Sequence, residues 1–441
     1  MPYNLKIIYW NNFNHEERKK ILSRPVSSNY SNVKEQVKKI VSNVKNFGDK
    51  ALYNYTNKFD KIKLNDIKVC EKEIKNSGIY IKKEIKDAIK VAMNNIKKFH
   101  ITQNIEMINQ NHDIKEDIYC KQIIRPIERV GLYIPNGSAP LLSTVLMLAI
   151  PASIAGCKRV VLCSPPPIMN EILYASKICG VKEIFQVGGA QAIAALGFGT
   201  ETIPKVNKIF GPGNIYVTEA KSQISKSLYD VGIDMLAGPS EVLIIADSQA
   251  NADFVASDLL SQLEHDNDSQ AILITYDITL AKEVLIKIKE QMKILSRYKV
   301  IMQALKHTRI IIAKDLLECF NISNDYAPEH LMIQCHRSKN LLQYVTNAGS
   351  IFLGYWSPVA GGDYAIGSNH VLPTYGSASV HSGLSLVDFY KRITVQKLSK
   401  QGFKDISSTI ISLSTVEKLD AHTQSIKIRL ASLSDRYSYE Y

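Results

Sequence analysis

Two ionisable residues stand side by side in the stretch NDYAPEHLMIQ, residues 324–334. Glu329 and His330 follow a turn-forming proline and precede an apolar run that predicts a buried strand. An adjacent carboxylate and imidazole suit general acid–base chemistry, because histidine titrates near neutral pH and a carboxylate can activate water. The same pair would also fit an ordinary polar loop end, so the pair alone does not distinguish a catalytic site from a structural loop.

Four residues that could hold a divalent cation come from three distant parts of the chain. Gln262 and His265 are three residues apart in ASDLLSQLEHD, which places them on one face near the end of a predicted helix. Asp363 lies in the predicted loop AGGDYAIGSNHVLPT, and His422 lies near the helix end VEKLDAH. Nitrogen and oxygen ligands without cysteine are typical of a catalytic zinc site or a similar ion. Each motif alone also fits a solvated helix end or a surface loop.

Three glycine-rich turns precede predicted helices and could bind a phosphate. They are YIPNGSAP, VGGAQA at residues 187–192 and GPGN at residues 211–214. Free N–H groups and the helix dipole attract anions at such a helix start. None of the turns matches G-x-G-x-x-G, and each alone could be an ordinary turn, for which glycine is the default residue. Their occurrence together favours a dinucleotide site.

The elements that would position these residues form an α/β pattern. From residue 130, short apolar strands alternate with helices, and a second such cycle begins near residue 240. We predict two tandem Rossmann-like parallel-sheet modules, a helical N-terminal region and a helical C-terminal tail. Amphipathic helices are predicted over 31–60 and 73–99, and a further helix over ISSTIISLSTVEKLDAH. Because such sheets bind ligands at the carboxyl ends of their strands, we expect the reactive residues there.

Composition limits the classes of protein that fit. The chain has 441 residues, of which 45% are hydrophobic and 22% charged, as in a folded protein of two or more domains. It has no apolar run long enough to predict a membrane span, and no signal-peptide core. Seven cysteines without a CxxC pair predict reduced thiols in the cytoplasm. The net charge of +12 comes from lysines scattered over N-terminal helices, so no nucleic-acid partner is predicted.

Several long stretches resemble the histidinol dehydrogenase family. They are GLYIPNGSAPLLSTVLMLAIPASIAGC, QVGGAQAIAALGFGTE, KIFGPGN, ASDLLSQLEH, APEHL and GDYAIGSNHVLPT. The resemblance covers residues 120–435 and, more loosely, the helical N-terminal region. It implies the oxidation of L-histidinol to L-histidine, with two NAD+ and a bound Zn2+. The alcohol would lose a hydride to give histidinal, water would add, and a second hydride would leave.

The resemblance also implies a role for each candidate residue. His330 would be the general base and Glu329 would activate the water molecule. One zinc ion per subunit, held by Gln262, His265, Asp363 and His422, would anchor the imidazole and amine of the substrate. Tyr133, Gln191 and Asn214, on the three glycine-rich turns, would contact NAD+. The substrate-binding set would comprise Ser240, Gln262, His265, His330, Asp363, His370, Glu417 and His422.

The same resemblance implies a homodimer that shares its active sites across the interface. The C-terminal tail, residues 384–441, would carry Glu417 and His422 to the partner subunit. The remaining expected divisions are an N-terminal arm at 1–28, a larger α/β domain from 29–132 and 240–383 with most of the site, and an NAD-contacting domain at 133–239.

Five positions depart from the family pattern without removing a predicted ligand or base: Asn136, Leu236, Leu263, Asp266 and Val359. We expect reduced activity or stability at most. Val359 is expected to loosen the segment that carries Asp363, and Asp266 to add negative charge beside His265. Three alternatives remain open: a zinc hydrolase in which Glu329 activates water on an ester or amide, a non-enzymatic binding protein on the same fold, and nucleic-acid binding by the basic N-terminal helices.

Overall fold

The structure is a computed structural model that describes residues 5–25, 30–103, 112–115, 117–136, 141–236 and 238–434. Its contacts divide the chain into two units. The first comprises Met1–Gln103 with Ile127–Phe389, and the second comprises Asn104–Pro126 with Tyr390–Tyr441. Among the helices within the described ranges, none combines the length and the apolar character needed to cross a membrane.

The strands and helices alternate along most of the chain. In chain order, the strands are β1 (Ile7–Tyr9), β2 (His112–Lys115), β3 (Ile118–Pro126), β4 (Arg129–Tyr133), β5 (Arg159–Cys163), β6 (Glu183–Phe185), β7 (Lys208–Phe210), β8 (Gly232–Ile233), β9 (Glu241–Ala246), β10 (Gln270–Thr275), β11 (Arg309–Ile312), β12 (His330–Gln334), β13 (Ser350–Leu353) and β14 (Tyr390–Leu398). The helices are α1 (His15–Ile21), α2 (Tyr30–Phe59), α3 (Glu71–Asn76), α4 (Lys83–Ile101), α5 (Leu142–Ala155), α6 (Asn170–Ile178), α7 (Gly189–Phe198), α8 (Ile215–Ser227), α9 (Ala252–Leu263), α10 (Ile278–Gln291), α11 (Tyr298–Ala304), α12 (Leu316–Tyr326), α13 (Val359–Tyr364), α14 (Lys400–Val416) and α15 (Asp420–Ser434).

The first unit contains a five-stranded parallel sheet in the order β6-β5-β4-β7-β8. Its central strand β4 carries Val130 and Leu132, both fully buried. The chain adds β5 and β6 on one side of β4 and then returns to add β7 and β8 on the other. The sheet is therefore doubly wound, and its order reverses between β4 and β7. The predicted first parallel-sheet module is confirmed.

A six-stranded parallel sheet, in the order β1-β11-β10-β9-β12-β13, belongs to the same unit. Along β9, Val242 and Ile244 pack with α9 and α10, whereas Leu243 and Ile245 pack with α12 on the opposite face. Strand β9 is buried on both faces, which explains its continuous apolar sequence. The predicted second module is confirmed, with the N-terminal strand β1 as one edge.

The first predicted N-terminal helix is present but broken at Gly48, and the second is divided into separate elements. Helix α2 covers the predicted segment 31–60, with non-helical backbone at Gly48, and packs against α7 and α8. The predicted helix 73–99 is instead α3, a 3-10 turn and α4. In the turn, the Ser77 hydroxyl donates a 2.8 Å hydrogen bond to the Ile74 carbonyl. Such a bond competes with the regular helical pattern and helps to explain the break.

The second unit pairs β3 with β14 in an antiparallel register from Pro126↔Tyr390 to Ile118↔Leu398, with β2 on the other side of β3. Strand β14 interrupts a tail that the sequence predicted to be mostly helical. The predicted tail helix also ends at Val416, and α15 begins only at Asp420. Lys418 between them has a φ of +58°, a left-handed conformation that stops an α-helix.

Candidate active site

The pair Glu329 and His330 lies at the start of β12. Helix α12 ends at Tyr326, and Ala327 turns the chain with a φ of +50°. His330 is then the first residue of the strand. The pair therefore lies at the amino end of a parallel strand, and the expected position at a carboxyl end is wrong.

Both side chains are oriented by the backbone of one residue, Glu241. Glu329 and His330 are 5% and 4% exposed. The Glu241 N–H donates to Glu329 Oε2 at 2.7 Å, and the Glu241 carbonyl oxygen lies 3.0 Å from His330 Nδ1. A carbonyl only accepts, so Nδ1 carries a proton and Nε2 is the free basic atom of the neutral ring. The structure thus aims Nε2 away from β9.

Two carboxylates surround the His330 imidazole. Glu329 Oε2 is 3.4 Å from Nδ1, and Asp363 Oδ1 is 3.8 Å from Nε2. Burial lowers the pKa of His330, but the negative charges of Glu329 and Asp363 outweigh burial and raise the pKa to about 9. The site therefore stabilises positive charge on its imidazole.

The predicted metal ligands of the first unit are brought only partly together. Gln262 is 1% exposed in the last turn of α9, whereas His265 lies two residues beyond the helix and is exposed. Asp363 lies in the short helix α13, which packs against α9, and not in the predicted loop. In the part of the chain that the structure describes, no three His, Cys, Asp or Glu side chains are grouped closely enough to hold a metal.

The buried amide of Gln262 is nevertheless suited to a ligand. Its Oε1 has no hydrogen-bond partner among the described residues, and the same is true of Nε2 of His330. Buried polar atoms almost always have a partner, and an unpaired one requires an explanation. Among the predicted ligands of this unit, Gln262 and Asp363 supply oxygen donors and His265 supplies a nitrogen donor, which are types of ligand that a divalent ion such as zinc accepts. The residues present therefore fit the predicted ion.

Glu417 and His422 belong to the second unit. Glu417 caps the end of α14, and His422 lies in the first turn of α15; both are exposed. Within one chain, the structure assigns them to a different unit from the other candidate ligands. Their predicted contribution to a shared site stays a prediction.

His370 and Ser240 lie in the first unit with the reactive pair. His370 Nδ1 is 3.0 Å from the Asp363 carbonyl oxygen, and Nε2 is 3.1 Å from Thr144 Oγ1. Burial lowers the pKa of His370, although Asp363 opposes the shift. Ser240 directly precedes β9, and its carbonyl accepts a 3.1 Å bond from the Gln270 N–H. Thr144 had no signal in the sequence, because it lies within an otherwise apolar helix.

Two of the predicted NAD-contacting residues meet at the start of α7. Tyr133 is the last residue of β4, and its hydroxyl oxygen accepts a 3.1 Å bond from the Gly189 N–H. Burial raises the pKa of Tyr133 to about 12, so the phenol is neutral. Gln191 is 2% exposed, and its Oε1 has no partner within the described residues. This part of the site lies at the carboxyl ends of strands, as expected.

The third predicted residue, Asn214, starts α8. Its Oδ1 accepts bonds from the N–H groups of Tyr216 and Val217, at 3.0 and 3.1 Å. Its oxygen is therefore used as a helix cap, and the two N–H groups of the amide take no part in the cap. In the first glycine-rich turn, residues 137–140 lie outside the described residues.

A buried ion pair holds the GPGN turn. Lys221 Nζ lies 2.5 Å from the Gly211 carbonyl oxygen and 2.6 Å from Asp234 Oδ1. Asp234 Oδ2 in turn accepts a 2.7 Å bond from the Gly211 N–H. Gly211 has a φ of +123°, and a Cβ there would lie 2.1 Å from the Tyr133 carbonyl oxygen. Only glycine fits this position, and both of its backbone polar groups are fixed.

The departures from the family pattern are accommodated in different ways. Leu263 and Val359 are buried in the core between α9 and the six-stranded sheet. A buried Val359 at the start of α13 argues against a loosened segment around Asp363. Asn136 donates hydrogen bonds to the carbonyls of Pro165 and Pro167 at 3.0 and 2.8 Å. Asp266 and Leu236 are exposed.

Comparison with known proteins gives one consistent result. A family model described as histidinol dehydrogenase matches residues 23–430. A histidinol dehydrogenase from Buchnera aphidicola subsp. Baizongia pistaciae is 62% identical over 435 residues, which cover 99% of this chain and 100% of the relative. One from Escherichia coli O6:H1 is 52% identical, with 99% and 100% coverage. The crystal structure of histidinol dehydrogenase from Elizabethkingia anophelis superposes with a TM-score of 0.92 at 44% identity, covering 98% of this chain and 100% of that one.

Proposed function

Because this chain belongs to the histidinol dehydrogenase family, and is therefore an oxidoreductase of histidine biosynthesis, we propose that it is a zinc-dependent, NAD-linked enzyme that oxidises L-histidinol to L-histidine through histidinal. The observation that carries the proposal is the buried pair of Glu329 and His330 beside Asp363. Membership of an oxidoreductase family removes the hydrolase alternative. It also leaves no observation that favours a non-enzymatic or nucleic-acid-binding function.

The proposed chemistry uses the two residues in sequence. His330 Nε2 takes the hydroxyl proton of histidinol while the carbinol carbon loses a hydride to NAD+, which gives histidinal and NADH. Glu329 then takes a proton from the water that adds to the aldehyde. His330 returns its proton to the former aldehyde oxygen to complete the hydrate, and then takes a hydroxyl proton from the hydrate as the second hydride leaves. A second NAD+, when bound, would accept that hydride, and the resulting acid releases a proton to water as it becomes the carboxylate. Burial of both side chains supports this role, because general acid–base catalysis requires fixed, desolvated groups.

We propose that Gln262, His265 and Asp363 hold one zinc ion per subunit, together with His422 of the partner subunit in a homodimer. When bound, the ion would anchor the imidazole and amine of the substrate. The unpaired oxygen of Gln262 supports this assignment. Ser240, His370 and Glu417 would contact other polar groups of histidinol. We also propose that the enzyme is cytoplasmic, as its seven free cysteines would suit.

We propose further that Tyr133, Gln191 and Asn214 contact NAD+. Their position on glycine-rich turns at the carboxyl ends of strands supports this role, since ligands of doubly wound sheets bind there. The positive φ of Gly211 lets backbone approach closely at the turn that precedes Asn214.

The test is NADH formation from L-histidinol, measured together with bound zinc. We expect two NADH per histidinol consumed, loss of activity on chelation, and recovery with zinc. A zinc-loaded preparation that forms no NADH would refute the proposal. NADH formation without any dependence on metal would refute the zinc site alone.

Two variants separate the proposed roles of the reactive pair. In Glu329→Gln, the first oxidation should persist and a carbonyl reagent should trap histidinal, with close to one NADH per histidinol. In His330→Asn, the yields of trapped histidinal and of NADH should both fall. A Glu329→Gln variant that still forms two NADH at the normal rate would contradict the role of Glu329 in water activation.

A further inference from the structure

We propose that Arg24 and Glu241 are positioning residues that fix the backbone of Glu241, whose N–H is bonded to Glu329 and whose carbonyl is bonded to His330. The inference rests on the proposed function, because it concerns the residues assigned to acid–base catalysis. It extends the site to the N-terminal arm, whose sequence gave no indication of a role in the reaction.

Arg24 and Glu241 form a bidentate ion pair. Arg24 Nε lies 2.5 Å from Glu241 Oε1, and Nη2 lies 3.0 Å from Oε2. The Glu241 side chain is only 2% exposed and that of Arg24 15%. Two parallel bonds from a planar guanidinium fix the orientation of the Glu241 carboxylate as well as balancing its charge. Tyr326 adds a further contact, since the Arg24 guanidinium lies 3.9 Å above its ring.

The same guanidinium also holds the segment that leads to the reactive pair. Arg24 Nη2 donates a 2.6 Å bond to the carbonyl of Tyr326, the last residue of α12. Three residues later the chain reaches Glu329. Arg24 therefore connects the start of β9, through Glu241, with the turn that precedes β12. These are the two backbone segments whose separation sets the geometry of the site.

Both reactive side chains are bonded to the backbone of Glu241, one to its N–H and the other to its carbonyl. Its N–H donates to Glu329 Oε2 at 2.7 Å and its carbonyl lies 3.0 Å from His330 Nδ1. Burial raises the pKa of the Glu241 carboxyl, while Arg24 opposes that rise. Without Arg24, the carboxyl would keep the 3.0 Å bond from the Tyr375 N–H but lose its bidentate partner. We expect the Glu241 side chain to move and the backbone N–H and carbonyl of Glu241 to move with it.

A small displacement of the Glu241 backbone is sufficient to affect catalysis. A misplacement of about 1 Å can cost roughly 100-fold in rate, even when the mutation lies away from the chemistry. Arg24 does not contact the proposed reacting atoms. We therefore expect Arg24→Met to lower kcat by about 10- to 100-fold, with KM for histidinol and NAD+ little changed.

The experiment compares Arg24→Met with Arg24→Lys and with a matched control. The control is Arg159→Met, because Arg159 makes an equally bidentate pair with Glu183, at 2.7 and 2.8 Å, between β5 and β6. Lysine keeps the charge without the two parallel bonds, so it should recover part of kcat. Arg159→Met should keep the kcat of the unaltered enzyme. Rates are expressed per folded, zinc-loaded subunit, so that loss of stability does not count as loss of catalysis.

A second mutation distinguishes positioning from a general structural role. If Arg24 acts through the reactive pair, Arg24→Met should cost little more in an enzyme that already carries His330→Asn, because effects within one unit are not additive. A structural role would give the same fold-loss in both backgrounds. If Arg24→Met does not fold, Glu241→Gln keeps the size of the side chain and should show the same selective loss of kcat.

The outcomes separate this inference from the proposed function. Unchanged kcat in Arg24→Met or in Glu241→Gln overturns the positioning role, and so does full additivity with His330→Asn. An unaltered enzyme that forms no NADH from histidinol overturns the proposed function and this inference together. An active enzyme that loses activity in His330→Asn but not in Arg24→Met overturns only the inference.

Discussion

Replacing Lys221 by methionine would test how strongly the GPGN turn depends on its buried ion pair. The side chains of Lys221 and Asp234 are 3% and 1% exposed. Methionine keeps most of the length and apolar volume of lysine but removes the ammonium group. The variant would therefore leave the Asp234 carboxylate buried without its counter-charge, and the Gly211 carbonyl without its 2.5 Å donor.

The structure limits the size of the effect. Removing one partner of a buried ion pair costs about 3–5 kcal/mol, because the other charge stays desolvated. Asp234 would still accept 2.7 Å bonds from the N–H groups of Gly211 and Met235. We therefore expect the lower end, a loss of about 3 kcal/mol in the free energy of unfolding. The KM for NAD+ should also rise, because the same pair holds the turn that precedes Asn214.

Urea unfolding followed by fluorescence would measure the loss, with Lys205→Met as the control. Lys205 and Asp230 are as close as the buried pair, at 2.7 Å, but they are 33% and 64% exposed. Exposed pairs contribute little, so the control should unfold almost as the unaltered protein does. Adding Asp234→Asn to Lys221→Met should recover part of the loss. Equal stability of the two single variants would refute the reasoning that burial makes the pair important.

Two further changes have defined outcomes. Gly211→Ala should fail to fold or lose NAD+ binding, because its Cβ would lie 2.1 Å from the Tyr133 carbonyl oxygen. The control Gly156→Ala, with φ +80° and open space around the new Cβ, should lose only about 1 kcal/mol of stability, measured by calorimetry. Similar losses in the two variants would contradict the predicted clash. Burial raises the pKa of Asp258 to about 7, against the 2.7 Å bond from Gln334. The folded protein then holds a proton that the unfolded chain releases near pH 4, so stability should fall by up to about 1.4 kcal/mol per pH unit as pH rises from about 4 to 7. Asp258→Asn should flatten unfolding curves over that window, and an unchanged slope would exclude Asp258 as the titrating group.

The two parallel sheets could be predicted because strands that are buried on both faces consist mainly of consecutive apolar residues. Strands β9 and β10 are buried at every position, and residues 242–246 and 271–274 within them form unbroken apolar runs. Strand β14 could not be found in this way, because most of its residues are exposed and it pairs with β3, far away in the chain. The break between α3 and α4 depends on local bonds that amphipathic spacing does not reveal.

The site could be predicted only as far as residue types and turns indicated it. Two of the glycine-rich turns were correctly predicted to precede helices, since Gly189 is the first residue of α7 and Asn214 caps the start of α8. The expected position of Glu329 and His330 was wrong. The rule for doubly wound sheets places ligands at the carboxyl ends of strands, whereas this pair lies at the amino end of β12. The pairing of Arg24 with Glu241 spans 217 positions and follows from tertiary packing alone.

Strand β1 has a consequence for the order in which the protein can assemble during synthesis. Ile8 pairs with Ile311, so during synthesis β1 waits for a partner made roughly 300 residues later, and such distant pairing is slow. Arg24 follows β1 and pairs with Glu241, which is also made much later. The segment from β1 to Arg24 must therefore stay available until the other strands of the six-stranded sheet exist. A chaperone that holds this segment during translation would act at the step that completes the sheet.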